Sequence, residues 1–128
     1  MLFRLYSIAA AFSIITTLLH SAAIYYSLNW IFSWFDMITH FFGGAMVAAL
    51  VYTLLYRRAS SGTAITHTLI IVFCVGVAWE IFEYTMGLAS PLEAGYALDT
   101  ALDGVADMLG GFFAVHICER IVRRYTQI

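Results

Sequence analysis

The chain has 128 residues, 62% of them hydrophobic and 11% charged, with a formal net charge of −2. A soluble domain is roughly 45–50% apolar and about 25% charged, so this composition excludes an ordinary soluble fold, a disordered chain, a coiled coil and a nucleic-acid-binding module. Together with a mean hydropathy of +0.87, it leaves a one-domain integral membrane protein. Cys74 and Cys118 lie within apolar runs and form no disulfide framework.

A membrane helix needs about 20 mostly apolar residues, each rising ~1.5 Å. Four stretches qualify, and an all-α bundle of four transmembrane helices is expected. The first spans residues 5–26, directly after Arg4, and carries His20 in its second half. Arg4, this apolar stretch and Ser21, Ala22 and Ala23 also resemble a cleavable leader, though only weakly. Residues 29–35 follow, with Trp30 and Trp34, and read as an aromatic segment near the membrane surface.

The second span covers residues 36–56. Asp36 and His40 open it, four residues apart and therefore on one face. Gly43, Gly44 and Ala48 form a small-residue surface one turn beyond. Residues 57–62 (Arg-Arg-Ala-Ser-Ser-Gly) make a short polar turn. The third span covers residues 64–86 and closes with Glu80 and Glu83, three apart on one face. Residues 87–97 hold the one proline, two of the nine glycines and Glu93, so they break the helix.

The fourth span covers residues 98–118. Asp99, Asp103 and Asp107 form a stripe over two turns, beside a second stripe of Ala106, Gly110 and Ala114. Small residues at four-residue spacing let helices approach closely in lipid. The acidic side of this span is therefore expected to pack against its neighbours.

Arg4, Arg57, Arg58, Arg120, Arg123 and Arg124 are the six basic residues, and all flank the same ends of the spans. The positive-inside rule places both termini and the 57–62 turn in the cytoplasm. A multi-pass protein of the cell inner membrane is the resulting expectation.

The acids then collect in one layer below the outer surface. Ionisable side chains at such depth usually face the bundle interior and mark a function. Asp36, Glu80, Glu83, Asp99, Asp103 and Asp107, with His40, have no arginine at that level to pair with. Protonation or a bound cation resolves the conflict. Carboxylates with one or two histidines suit Zn, Mn or Fe, and carboxylates alone suit Mg. Facing helices that project such groups inward also describe di-metal helical bundles. All seven residues are accordingly candidate ligands for a divalent metal ion.

Plainer roles are available to several of them. Asp36 and Asp99 fit helix N-caps, and Glu80 and Glu83 could snorkel to the surface. His40 could be a hydrogen-bonded structural histidine. His20 reads as structural, with a place in the cluster left open, and His67 and His116 read as interfacial. Asp103 and Asp107 are too deep and too short for snorkelling, and Asp103 is the strongest candidate.

Three motifs carry a resemblance. Asp36-x-x-x-His40-Phe41-x-Gly43, then Trp79-Glu80-Ile81-Phe82-Glu83-Tyr84, then Asp99-Thr100-x-x-Asp103-x-x-x-Asp107-x-x-Gly110 resemble those of YjdF-like bacterial inner-membrane proteins. The last helix also resembles the VanZ-like family, associated with glycopeptide resistance, in which Asn often stands where this chain has Asp107. The resemblance covers about residues 36–114, and this chain has fewer spans than most YjdF-like proteins. It implies that Asp36, His40, Glu80, Glu83, Asp99 and Asp103 act together, and it supplies no reaction.

Three functions compete at this stage. The first is a metal-binding protein or metal-dependent enzyme acting on a lipid or envelope substrate. The second is a proton or ion conductor, opposed by an inner half that reads as apolar apart from His67 and His116. The third is a non-catalytic subunit of a larger membrane complex. Membrane lipids, a second copy of the chain or a membrane complex are the expected partners, with no nucleic acid. No nucleophile elbow, phosphate loop, CxxC pair or haem signature is present, so no catalytic residue is assigned.

Overall fold

A computed structural model describes residues 1–92 and 94–126. Glu93, placed by sequence in the helix-breaking loop, lies outside the described residues. Four long helices, α1 (Leu2–Tyr26), α3 (Phe35–Leu55), α4 (Ser61–Thr85) and α5 (Tyr96–Thr126), are joined by short connections, and α2 (Leu28–Ile31) is a single turn between α1 and α3. All four are long and apolar enough to cross a membrane. The expected spans are reproduced within a few residues, except that α5 continues to Thr126. At ~1.5 Å per residue, its 31 residues reach about 46 Å, well beyond a hydrocarbon core of about 30 Å. The last turns of α5, with Arg123 and Arg124, therefore project past the apolar layer.

The connections have local causes. Ser27 takes a left-handed conformation, φ 53°, and its backbone N–H bonds back to α1, so the chain turns at once into α2. Ser60 caps α4 by accepting from the Thr63 backbone N–H at 3.3 Å. Gly87 and Gly95 adopt positive φ, 70° and 94°, at the two ends of the loop after α4, a conformation that side chains resist.

Lipid inverts the usual rule for surfaces. Large apolar side chains such as Ile14, Leu18, Phe73, Ile81 and Phe112 lie on the outside. The interior is built from small ones, with Ala45, Ala48, Ala49 and Ala114 fully buried around Tyr52, Val72 and Leu5. Dispersion contacts between closely spaced backbones hold such a bundle together, since lipid tails compete for apolar surface. The α3–α5 pair has the most extensive interface, and α1 and α4 flank it.

Two glycines set the spacing of that pair. A Cβ added to Gly110 would collide with the Phe41 carbonyl, and one added to Gly44 with the Asp107 backbone. The small stripe expected on α5 is thus in contact, with Ala106, Gly110 and Ala114 all buried. Among the described residues, α1 and α4 make no close backbone approach. Their side chains do meet at one point, where His20 stands edge-on to Trp79 at 5.6 Å.

Chain ends and arginines share one end of the bundle. The Arg4 guanidinium lies 5.5 Å from the Tyr125 ring, and Arg123 donates to Glu119 while Ser61 does the same from the first turn of α4.

Candidate metal centre

Asp36 is the second residue of α3, whose N-cap position is held by Trp34 without a side-chain bond. It is therefore no N-cap. Its carboxylate accepts from the Asn29 amide at 3.1 Å and lies 3.1 Å from the Thr39 hydroxyl, which is also 2.7 Å from the Asp36 carbonyl. The single turn α2 brings Asn29 back over the start of α3 to make this contact. One turn deeper, His40 is buried, with 6% of its surface exposed.

Asp107 reaches His40 from α5. Its Oδ2 lies 3.2 Å from His40 Nδ1, and glycines make room for it. Gly44 lies under its backbone, and a Cβ on Gly76 would stand 2.6 Å from Oδ2. A carboxylate on one ring nitrogen fixes the tautomer and orientation of an imidazole. In the neutral ring this contact puts the proton on Nδ1, which donates to Asp107, and leaves the Nε2 lone pair for a ligand.

That free nitrogen has no hydrogen-bond partner and is fully buried. Glu80 Oε1 lies 3.9 Å away and is likewise buried and unpaired. So is Asp103 Oδ1, on a residue only 3% exposed. Such orphans are rare in native proteins, because burying an unsatisfied polar group costs free energy. Three of them converge at one level of this bundle.

Two groups of side chains have ligand atoms within 4.8 Å of one another: Asp36, His40 and Asp103; and His40, Glu80 and Glu83. Five of the seven sequence candidates are thus brought together around the imidazole. Asp107 belongs to neither group and instead holds the ring. Asp99 also belongs to neither and is exposed in the first turn of α5. Glu83 has a partner already, since Trp79 Nε1 donates to it at 2.9 Å. His20 is half-buried against Trp79 and joins neither group. His67 and His116 are exposed.

Sequence reasoning missed a second polar centre at the arginine end. That half, expected to be apolar, is not: Tyr52, Thr53, Thr68 and Glu119 are all buried there. Glu119 accepts from Tyr52 Oη, from Ser61 Oγ at 2.6 Å and from Arg123 Nε at 2.8 Å. It ties α3, α4 and α5 together, and its hydrogen bonds are all made, which reads as a structural clamp. The signal was present in Glu119 and Arg123 at i,i+4, but Tyr52 and Ser61 are 67 and 58 residues away in sequence. Glu119→Ala would strand two hydroxyls, and we expect a loss of about 2 kcal/mol, within the range for unsatisfied buried groups. Thermal melting in detergent measures it, and Glu119→Gln should recover part of the loss.

Four apolar helices around a buried cluster of carboxylates and one imidazole define a polytopic helical membrane protein with an intramembrane ionisable centre. The chain belongs to the DUF2238 family of predicted membrane proteins, whose pattern it matches over residues 2–124. No curated protein and no solved structure matches it.

Proposed function

We propose that this protein is a metal-binding inner-membrane protein in which Asp36, His40 and Asp103 hold one divalent ion near the outer membrane face. The observation that carries this reading is the convergence of two buried, unpaired ligand atoms, His40 Nε2 and Asp103 Oδ1, from different helices. Asp36 completes a three-residue group within 4.8 Å. A cation satisfies both orphans and offsets the repulsion between the carboxylates. The second group is less favoured, because only His40 is buried in it, whereas His40 and Asp103 are both buried in the first.

One imidazole with two carboxylates suits Mn, Fe or Zn better than Mg. Asp107 serves as the outer carboxylate that orients the ligating histidine, a recurrent device of metal sites. A cavity of about 330 Å³, with Asp36, His40, Thr39 and His20 among its lining residues, adjoins the group and has room for a water molecule on the ion. The YjdF-like motifs, as read from sequence, include Asp36, His40 and Asp103, which accords with a shared role.

Elemental analysis of the purified protein tests the reading. About one equivalent of divalent metal per chain is expected. Binding should weaken as pH falls, because ligands must be deprotonated to bind. Chelation should lower the melting temperature. Absence of metal together with a melting curve indifferent to chelator would overturn the proposal in favour of protonated carboxylates.

The orientation is tested separately, in a background lacking Cys74 and Cys118. Leu92→Cys should react with an impermeant thiol reagent from outside, and Arg58→Cys only after the membrane is opened. The reverse pattern would place the centre at the cytoplasmic face.

A further inference from the structure

A second cavity, of about 590 Å³, opens between α4 and α5. Its volume lies within the usual range for small-molecule sites, about 300–1,000 Å³. Phe73, Val77, Ile81, Val105 and Phe112 line it. Each of the five is between 44% and 58% exposed, so the cleft faces sideways into lipid. Gly104 leaves a notch in α5, since nothing lies within 4 Å of where its Cβ would be.

The charge in this cleft has one sign. Glu80 and Asp107 are its charged lining residues, with no lysine or arginine among them. Asp107 is engaged by His40 at Nδ1, whereas Glu80 Oε1 is buried 3.9 Å from His40 Nε2 and makes no hydrogen bond. A carboxylate on a residue that lines an apolar cleft is costly unless a cation compensates it. Tyr84 and Tyr96 also line the cleft, and phenol rings attract cations through their faces. An anionic ligand would be repelled, and a neutral one would leave the carboxylate uncompensated.

We propose that the α4–α5 cleft binds a lipophilic organic monocation, with its apolar substituents along the two helices and its charge beside Glu80. This site is distinct from the Asp36, His40 and Asp103 group, although Glu80 also stands in the second group with His40 and Glu83. Asp36, His40 and Thr39 line the cavity beside that group, Glu80 and Thr100 line the cleft, and Gly76 with Asp107 are common to both. The ligand enters laterally, from the membrane.

Equilibrium dialysis in dodecyl maltoside, corrected for partition into protein-free micelles, tests this with tetraphenylphosphonium. Tetraphenylborate has nearly the same shape and the opposite charge. EDTA is kept present, so that the outcome does not depend on metal. The phosphonium is expected to bind at least about tenfold more tightly than the borate, a difference of about 1.4 kcal/mol. Glu80→Gln, nearly isosteric, should lose about tenfold of that affinity. Gly104→Leu, which fills open space in the cleft, should lose as much while leaving every carboxylate in place. Equal binding of the two ions would show a merely apolar surface and overturn the proposal. Full phosphonium affinity in either variant would overturn it as well, and Gly104→Leu decides the matter if Glu80→Gln does not fold.

Discussion

Asp103→Asn is expected to lower metal affinity by more than about 100-fold while the protein still inserts and folds. The substitution keeps size and one carbonyl oxygen but removes the charge. Asp103 is 3% exposed and its Oδ1 has no hydrogen-bond partner, so the loss of charge breaks no bond within the protein. If the residue were only a buried polar group, the change would be neutral or stabilising, because a costly buried charge disappears. Asp107→Asn should act more gently. It touches the other side of the imidazole, at Nδ1, and replacement of such an orienting carboxylate costs about 10–100-fold in metal affinity. The order Asp103, then Asp107, then Asp99 with no effect separates a ligand from a positioning residue and from an exposed acid. Metal content after dialysis and the apparent dissociation constant measure it. An Asp103→Asn protein with full occupancy and unchanged stability would overturn the assignment.

Gly110→Leu should disrupt the bundle itself. Even a Cβ at this position would run into the Phe41 carbonyl, and backbone does not yield as a flexible side chain does. Overpacking a close contact costs about 1–3 kcal/mol, occasionally more, and a leucine here should reach at least about 3 kcal/mol. The α3–α5 interface is the most extensive in the fold, and it holds Asp107 against His40. The variant should therefore melt earlier and lose metal together. Gly104→Ala is the matched control on the same helix. Nothing lies within 4 Å of its new methyl, and alanine favours a helix interior by up to about 1 kcal/mol over glycine. That variant should be as stable as the parent or more so. Thermal melting in one detergent ranks all three, and equal stability of Gly110→Leu and the parent would contradict the packing argument.

Particular residues show where sequence reasoning succeeds. Hydropathy alone located the four spans, because a bilayer demands about 20 apolar residues whatever the fold. The six arginines mark one end of the bundle, and the structure gathers Arg4, Arg123 and the first turn of α4 there. The stripe Ala106, Gly110 and Ala114 was legible from helical period alone and is buried.

Helical period relates residues only within one helix. It put Asp99, Asp103 and Asp107 on one stripe with equal standing, yet Asp99 is exposed, Asp103 is buried and unpaired, and Asp107 grips His40. Those fates depend on how α5 is rotated against α3. Contacts such as Gly44 on Asp107 and Gly110 on Phe41 set that rotation, across sequence separations that no local pattern encodes. The same holds for Gly76, which reads as an ordinary apolar-span glycine until Asp107 is beside it, and for the clamp of Tyr52 and Ser61 on Glu119. The sequence by itself determined that this is a four-helix membrane protein with an acidic layer toward one end. Tertiary packing decided which of those acids meet the imidazole, which merely holds it, and which also lines the α4–α5 cleft, because side chains from separate helices become neighbours only when the helices close on one another.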